Sequence, residues 1–251
     1  MQIHAAARAA LLALALAIST PAFSAAPAEE RAAVAAGLKA RPIYVAIERY
    51  FPEVFKEMVD RLAEGLASSR PMGDLIQELR PLYSALLARE TPKADVANTR
   101  LFMTLGRDQA LAALKRSPHD CLIILGVSSD RTLPADILPE ALIEQEFDYA
   151  AKLFAQTATR PEPLPPALSQ SALQSLASQV YDTLPSDALR AAFTQIGGSG
   201  AKATTPVQQE AVCRFSTNLM DVLLAKPGSE GTDAFRALTF ATTVKRAAVS
   251  P

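Results

Sequence analysis

The two cysteines carry the most clearly interpretable chemistry in this sequence. Cys121 and Cys213 are the only cysteines among 251 residues, and they are separated by 92 positions. Redox-active pairs are typically spaced as Cys-x-x-Cys, whereas two distant cysteines in an oxidising compartment are usually bonded to each other. The sequence therefore predicts a structural disulfide bond between Cys121 and Cys213, with two separate buried thiols as the alternative.

Histidine is too scarce for most metal or nucleophile chemistry. Beyond His4 near the N-terminus, the chain contains only His119. A zinc site built on two histidines is therefore not expected, and no Gly-x-Ser-x-Gly motif offers a serine nucleophile. Since Ser117-Pro118 is typical of a helix start, His119 should lie in a first turn, as a surface or capping group. We assign no catalytic residue, metal or cofactor from the sequence.

Three carboxylates form the best candidate for a cation-binding or catalytic site. Glu140, Glu144 and Asp148 recur at a spacing of four and therefore share one stripe of a predicted helix. Such a stripe could hold a cation or supply a general acid, although it is more often a solvated face. An envelope hydrolase of the muramidase type, acting through Glu140 or Glu144, is thus the alternative function. The chain lacks the Glu-Ser pair that is common in such enzymes.

An aromatic group is the best candidate for a recognition surface. Tyr44, Tyr50, Phe51 and Tyr83 fall on neighbouring predicted helices that prolines interrupt. Tyrosine suits a half-buried position, because its ring can be covered while its hydroxyl stays in water. These four residues are the candidate ligand-binding surface, although core packing between the two helices is the more common role of such a group.

The N-terminus has the pattern of a secretory signal peptide over residues 1–24. Arg8 precedes the uninterrupted apolar run Ala9–Ile18, and Ala22-Phe-Ser24 places small residues at a cleavage site. The run is too short to span a bilayer, and no membrane span is expected in the mature chain. The sequence therefore predicts export, and its alanine- and proline-rich style indicates the bacterial periplasm or secretion.

Composition and periodicity predict an all-α fold. Nearly half of the chain is hydrophobic, tryptophan is absent, and alanine and leucine, both strong helix formers, dominate. Apolar residues recur at steps of three and four, which predicts about nine or ten helices. They should form an irregular, orthogonal bundle or a short array of helical hairpins. We expect residues 25–251 to form one helical domain, with a proline-rich connector at 160–166 between two packed halves.

Serine or threonine followed by proline predicts where several helices begin. The predicted starts are Thr91-Pro92, Ser117-Pro118 and Thr205-Pro206.

The run from Cys121 to Leu125 is more ambiguous, because a short apolar run also fits a buried strand. Helix is favoured because no partner strand is visible in the sequence.

Charge excludes one class of partner. The net charge is −1 and the basic residues are spread along the chain, whereas a nucleic-acid partner would favour a basic face.

Together these features predict a soluble, exported, non-enzymatic helical protein that binds a protein or a small ligand in the bacterial envelope.

Overall fold

The computed structural model describes residues 28–128, 130, 132–199 and 203–249, so the predicted signal segment 1–24 lies outside the described residues. The described residues form twelve α-helices and no strand, which confirms the predicted all-α class. None of these helices has the length and apolar character needed to cross a bilayer. In chain order they are α1 (Ala28–Leu38), α2 (Pro42–Tyr50), α3 (Pro52–Ala67), α4 (Met72–Glu90), α5 (Val96–Leu114), α6 (Pro118–Ile124), α7 (Pro134–Ile137), α8 (Glu140–Thr159), α9 (Gln170–Asp182), α10 (Asp187–Ser199), α11 (Pro206–Leu224) and α12 (Glu230–Val249).

Twelve described helices exceed the nine or ten that were predicted. The difference arises because α1 and the four-residue α7 are helices of their own. Two of the three predicted starts are confirmed, because local capping decides them. The Ser117 hydroxyl accepts a bond from the Asp120 amide at 3.0 Å, and Thr205 forms a capping box with Gln208. The ambiguous run from Cys121 lies in helix α6 rather than in a strand.

The helix start predicted at Thr91-Pro92 is wrong. Thr91–Lys93 forms a 3₁₀ turn that continues directly from α4, and α5 begins only at Val96. Thr91 does not act as an N-cap, because its backbone is helical (φ −52°, ψ −41°) and continues α4. Its hydroxyl donates back to the Leu87 carbonyl at 2.7 Å. Asp95 caps α5 instead, accepting a bond from the Asn98 amide at 2.7 Å.

The largest hydrophobic core lies between α2, α3, α4 and α8. Pro52 at the first position of α3 separates this helix from α2 at Phe51. This break lets α2 lie along α8 while α3 packs on α4. The core is filled by the buried faces of these four helices, and its fully buried side chains include Ile43, Met58, Leu75 and Phe154.

A second core surrounds the cysteine pair. The Sγ atoms of Cys121 in α6 and Cys213 in α11 are 1.96 Å apart, at disulfide-bond distance, and both residues are fully buried. Ala110, Ala113 and Ile123 pack around them. Because α11 also packs along α5, a helix that follows the proline-rich segment is fixed to helices that precede it.

The proline-rich connector is extended. It comprises residues 160–169, which have no helical structure between α8 and α9, as four prolines in seven residues predict. The connector is attached to the rest of the fold through its backbone: the Glu162 amide donates to the Lys93 carbonyl at 2.9 Å, and Arg236 donates to the Pro163 carbonyl. The division of the chain into two packed halves stays a prediction.

Candidate functional site

The four aromatic residues selected from the sequence are all half-buried. Tyr44 and Tyr50 lie on α2, Phe51 lies between α2 and α3, and Tyr83 lies on α4. Each of them packs against the largest core. These positions are those expected if the four residues pack between the helices. A role of the four residues in binding a ligand stays a prediction.

Tyr83 belongs to a polar cluster inside this packing. Its hydroxyl donates to Glu146 Oε1 at 3.0 Å, and Gln109 Nε2 donates to the other carboxylate oxygen at 2.8 Å. Burial, followed by the neighbouring charge of Glu146, holds the pKa of Tyr83 well above its usual value. Tyr83 therefore remains protonated and acts as a hydrogen-bond donor that links α4 to α8.

Two further tyrosines lie near this cluster. Electrostatic interaction with Tyr149 and Tyr44 contributes to the raised pKa of Tyr83, after burial and Glu146. The Tyr149 hydroxyl is buried and has no hydrogen-bond partner among the described residues, and burial raises its pKa strongly. Its ring stacks on Phe102 with centroids 5.3 Å apart. The cluster is thus enclosed by packing.

Tyr50 and Phe51 have other contacts. The Phe51 ring meets Phe154 edge-on with centroids 5.5 Å apart, and the Arg89 guanidinium lies 5.2 Å from the Phe51 centroid. Arg49 lies 5.2 Å from the centroid of Tyr50. Both contacts are cation–π interactions. The first joins α4 to the junction between α2 and α3, whereas the second lies within α2.

The acidic stripe on α8 is exposed. Glu140, Glu144 and Asp148 all face solvent, and Glu144 pairs with Arg41 at 2.5 Å. Arg41 also lies over the Phe147 ring, 4.8 Å from its centroid. These contacts give the stripe a surface role in fixing α8 to the start of α2. Among the described residues, no group of three histidine, cysteine, aspartate or glutamate side chains is arranged to hold a metal ion.

His119 contacts the loop that follows α6. Its Nε2 lies 3.2 Å from Asp130 Oδ2, and both side chains are about half exposed. The Thr132 hydroxyl and amide donate to Asp130 Oδ1 at 2.8 and 2.9 Å. These bonds, followed by His119, lower the pKa of Asp130 to about 2. His119 is therefore a surface group that anchors a loop, which agrees with its expected surface role.

A surface groove lies beside the connector, and sequence reasoning did not find it. The groove, called the connector groove below, has a volume of about 480 Å³. One wall is the connector, a second is the exposed side of α9, and the third is the start of α12 with the turn before it. Its lining residues are Pro165, Pro166, Leu168, Ala172, Ser175, Leu176, Gln179, Lys226, Glu230, Asp233 and Ala234.

Arg236 fixes the wall that the connector forms. This side chain is almost fully buried, and it donates through Nε to the Pro92 carbonyl at 2.8 Å and through Nη2 to the Pro163 carbonyl. A third bond runs from Nη1 to Asp233 at 3.0 Å. One guanidinium thus connects α12, the 3₁₀ turn and the connector, which uses the planar fork geometry of arginine.

The turn between α11 and α12 supplies the third wall, and it is tightly held. Arg100 on α5 donates to the Leu224 carbonyl at 3.0 Å and to the Lys226 carbonyl at 2.9 Å. Gly231 packs so closely that an added Cβ would lie 1.9 Å from the Leu223 carbonyl oxygen. The wall is therefore preformed, because its backbone has little room to shift.

A second groove of about 440 Å³ lies at the end of α5. Its walls are the last turn of α5, with Lys115 and Arg116, and the α7 segment from Ala135 to Pro139. It adjoins the core around the cysteine pair, because Ile137 and Leu138 belong to both. Arg116 is already paired with Asp120 at 3.3 Å.

No protein-family model, curated protein or solved structure matches this chain.

Proposed function

We propose that this protein is an exported, non-enzymatic binding protein of the bacterial envelope, and that it binds its ligand in the connector groove. The observation that carries the proposal is the groove itself. Its volume of about 480 Å³ falls within the range of ligand sites, which are mostly apolar with a few placed polar groups.

The composition of the groove supports binding rather than catalysis. Leucine, alanine and proline side chains form most of its lining, while polar groups from α9 and α12 lie along its edges. An apolar ligand surface placed there would be removed from water, which stabilises a complex by roughly 25 cal/mol per Å² before the costs of association.

Export is supported by two independent features. Residues 1–24 have the charge, apolar run and small-residue pattern of a signal peptide. The cysteine pair lies at disulfide distance, and such bonds persist in oxidising compartments such as the periplasm. We therefore propose the periplasm as the location, with secretion as the other outcome of export.

No specific observation favours the hydrolase alternative. Glu140 and Glu144 are exposed on α8. Glu146 is half-buried, but both of its oxygens already accept hydrogen bonds from Tyr83 and Gln109. A general acid requires a carboxyl group that reaches substrate.

The neutral fluorescent dye Nile red tests whether the connector groove binds an apolar ligand. We expect saturable binding with a blue shift in the emission of the dye. Ala172→Phe should abolish this binding, because the new ring would occupy the groove. Ala177→Phe is the matched control: Ala177 lies on the same helix and is exposed, but it does not line the groove. Equal binding by both variants, or no binding by the unmodified protein, would refute the proposal.

A further inference from the structure

We infer that the connector groove binds an extended peptide segment in which apolar side chains adjoin a lysine or an arginine. This inference rests on the proposed function and specifies the chemistry of the ligand. It is carried by three features of the groove: an apolar floor, polar side chains with a peptide-like repeat on one wall, and carboxylates that are more exposed than their paired cations.

The floor accepts aliphatic side chains. Leu168 of the connector, Ala172 and Leu176 of α9 and Ala234 of α12 line the groove together. Leu176 is buried within the core that contains Met103 and Leu223, so the floor is fixed by the interior of the protein. Leucine, valine or alanine side chains of a peptide would be covered there without rearrangement of the core.

The α9 wall offers hydrogen-bonding groups with a peptide-like spacing. Ser175 and Gln179 both line the groove and are four residues apart, which places them about 6 Å apart along the helix axis. An extended chain repeats every two residues, at about 6.6 Å. The two side chains can therefore meet successive, equivalent backbone amides of a peptide that runs along α9.

The α12 wall gives the groove a negative edge. Glu230 and Asp233 lie one turn apart and each is paired with a cation, Lys226 at 2.6 Å and Arg236 at 3.0 Å. Glu230 is 60 % exposed and Asp233 is 46 % exposed, whereas Lys226 and Arg236 are only 26 % and 7 % exposed. The carboxylates are therefore more accessible to a ligand than their paired cations, of which Lys226 also lines the groove and Arg236 does not.

Each carboxylate also has a second oxygen that accepts no hydrogen bond from its paired cation. Lys226 donates to Glu230 Oε1 and Arg236 donates to Asp233 Oδ1. Within the described residues these bonds use one oxygen of each carboxylate, so Oε2 and Oδ2 can accept a bond from a further cation. Lysine or arginine on the peptide is the complement of these two oxygens and is favoured over glutamate or aspartate.

Three fluorescein-labelled pentapeptides test this inference by fluorescence anisotropy at low salt. They share the sequence Leu-Ala-Leu-Ala and end in the amide of lysine, norleucine or glutamate. We expect the lysine peptide to bind about five- to tenfold more tightly than the glutamate peptide, since each partly exposed ion pair contributes modestly. The double variant Glu230→Gln/Asp233→Asn should reduce this ratio below about twofold.

The matched control is Glu57→Gln on α3. Glu57 is an exposed glutamate in an ion pair at a spacing of four, as Glu230 is, but it lies outside the groove. This variant should keep the full preference for lysine. A ratio below twofold in the unmodified protein, a preference that survives the double variant, or peptides that fail to bind while Nile red binds would each overturn the inference. If Nile red also fails to bind, the proposed function falls with it.

Discussion

Replacing Arg236 with methionine should loosen three segments of the fold at once. The guanidinium donates to the carbonyl groups of Pro92 and Pro163 and to the carboxylate of Asp233. Methionine fills a similar volume but donates no hydrogen bond. Two carbonyl groups would therefore lose their charged donor, and the connector would lose one of its backbone attachments.

The magnitude follows from the burial of each bond. A hydrogen bond from a charged group contributes about 1.5–3 kcal/mol. The buried bond to Pro92 lies near the top of this range and the part-buried bond to Pro163 near the bottom, so the loss of both costs about 4–5 kcal/mol. The pair with Asp233 adds less than about 1 kcal/mol, because that carboxylate is half exposed. Burial of the methionine side chain offsets part of this loss. We expect a net destabilisation of about 3–4 kcal/mol.

Urea unfolding followed by circular dichroism measures this change. With a slope of about 2–3 kcal/mol per M, the midpoint should fall by about 1–2 M. Arg236→Lys should lose about half as much, because an ammonium group keeps the charge but cannot reach both carbonyl groups in one plane. A loss below about 1 kcal/mol for methionine, or equal losses for methionine and lysine, would refute the reasoning.

Three further predictions concern the rest of the fold. The double variant Cys121→Ala/Cys213→Ala should lose up to about 4.6 kcal/mol, the chain-entropy value for a closed loop of this length; a loss below 1 kcal/mol in urea unfolding would contradict the loop-closure account. Gly231→Ala should destabilise the fold by roughly 2–4 kcal/mol, because the added Cβ would meet a backbone carbonyl oxygen. The control is Gly37→Ala in α1, where the added Cβ has open space, and it should be neutral or stabilising in the same assay. The pKa of Asp130 is about 2, below the ordinary value of 3.8, so ionised Asp130 stabilises the native state above about pH 4 and this contribution is lost as the pH falls towards 2. Thr132→Val should raise that pKa, as followed by NMR titration of the carboxyl carbon, and an unchanged pKa would exclude the hydroxyl as its main cause.

Helix boundaries were predictable where the signal was local. Ser117 and Thr205 cap α6 and α11 because the cap, the proline and the amide it meets all lie within four residues. Thr91 has the same dipeptide signal, but it is buried and its hydroxyl turns back to the Leu87 carbonyl. Tertiary packing determined that position, and a pattern of two residues could not reveal it.

The polar cluster was only partly predictable from the sequence. Tyr83 was selected for its residue type, but its partner Glu146 was missed in favour of the exposed Glu144. A signal was present: Glu146 follows Ile143 by three and precedes Ala150 by four, so it lies on the apolar face of α8. A carboxylate on an apolar face needs a buried partner.

The connector groove was not predictable by local reasoning. Its walls come from three segments that the chain separates widely, and one of its fixing bonds joins Pro163 to Arg236 across 73 positions. No periodicity or motif encodes where an extended proline-rich segment will lie against two helices. Only the packed structure brings these segments to one place.

The bond between Cys121 and Cys213 makes a covalent ring that encloses the whole connector. Among the described residues of that ring, the connector is the longest stretch without helix, and it carries exposed Leu164. It is therefore the expected place for a protease to cut. A single cut there would open the ring without releasing a fragment. The nicked molecule would migrate as one species until reductant separates its two pieces, and α9 would stay joined to α6 through sulfur.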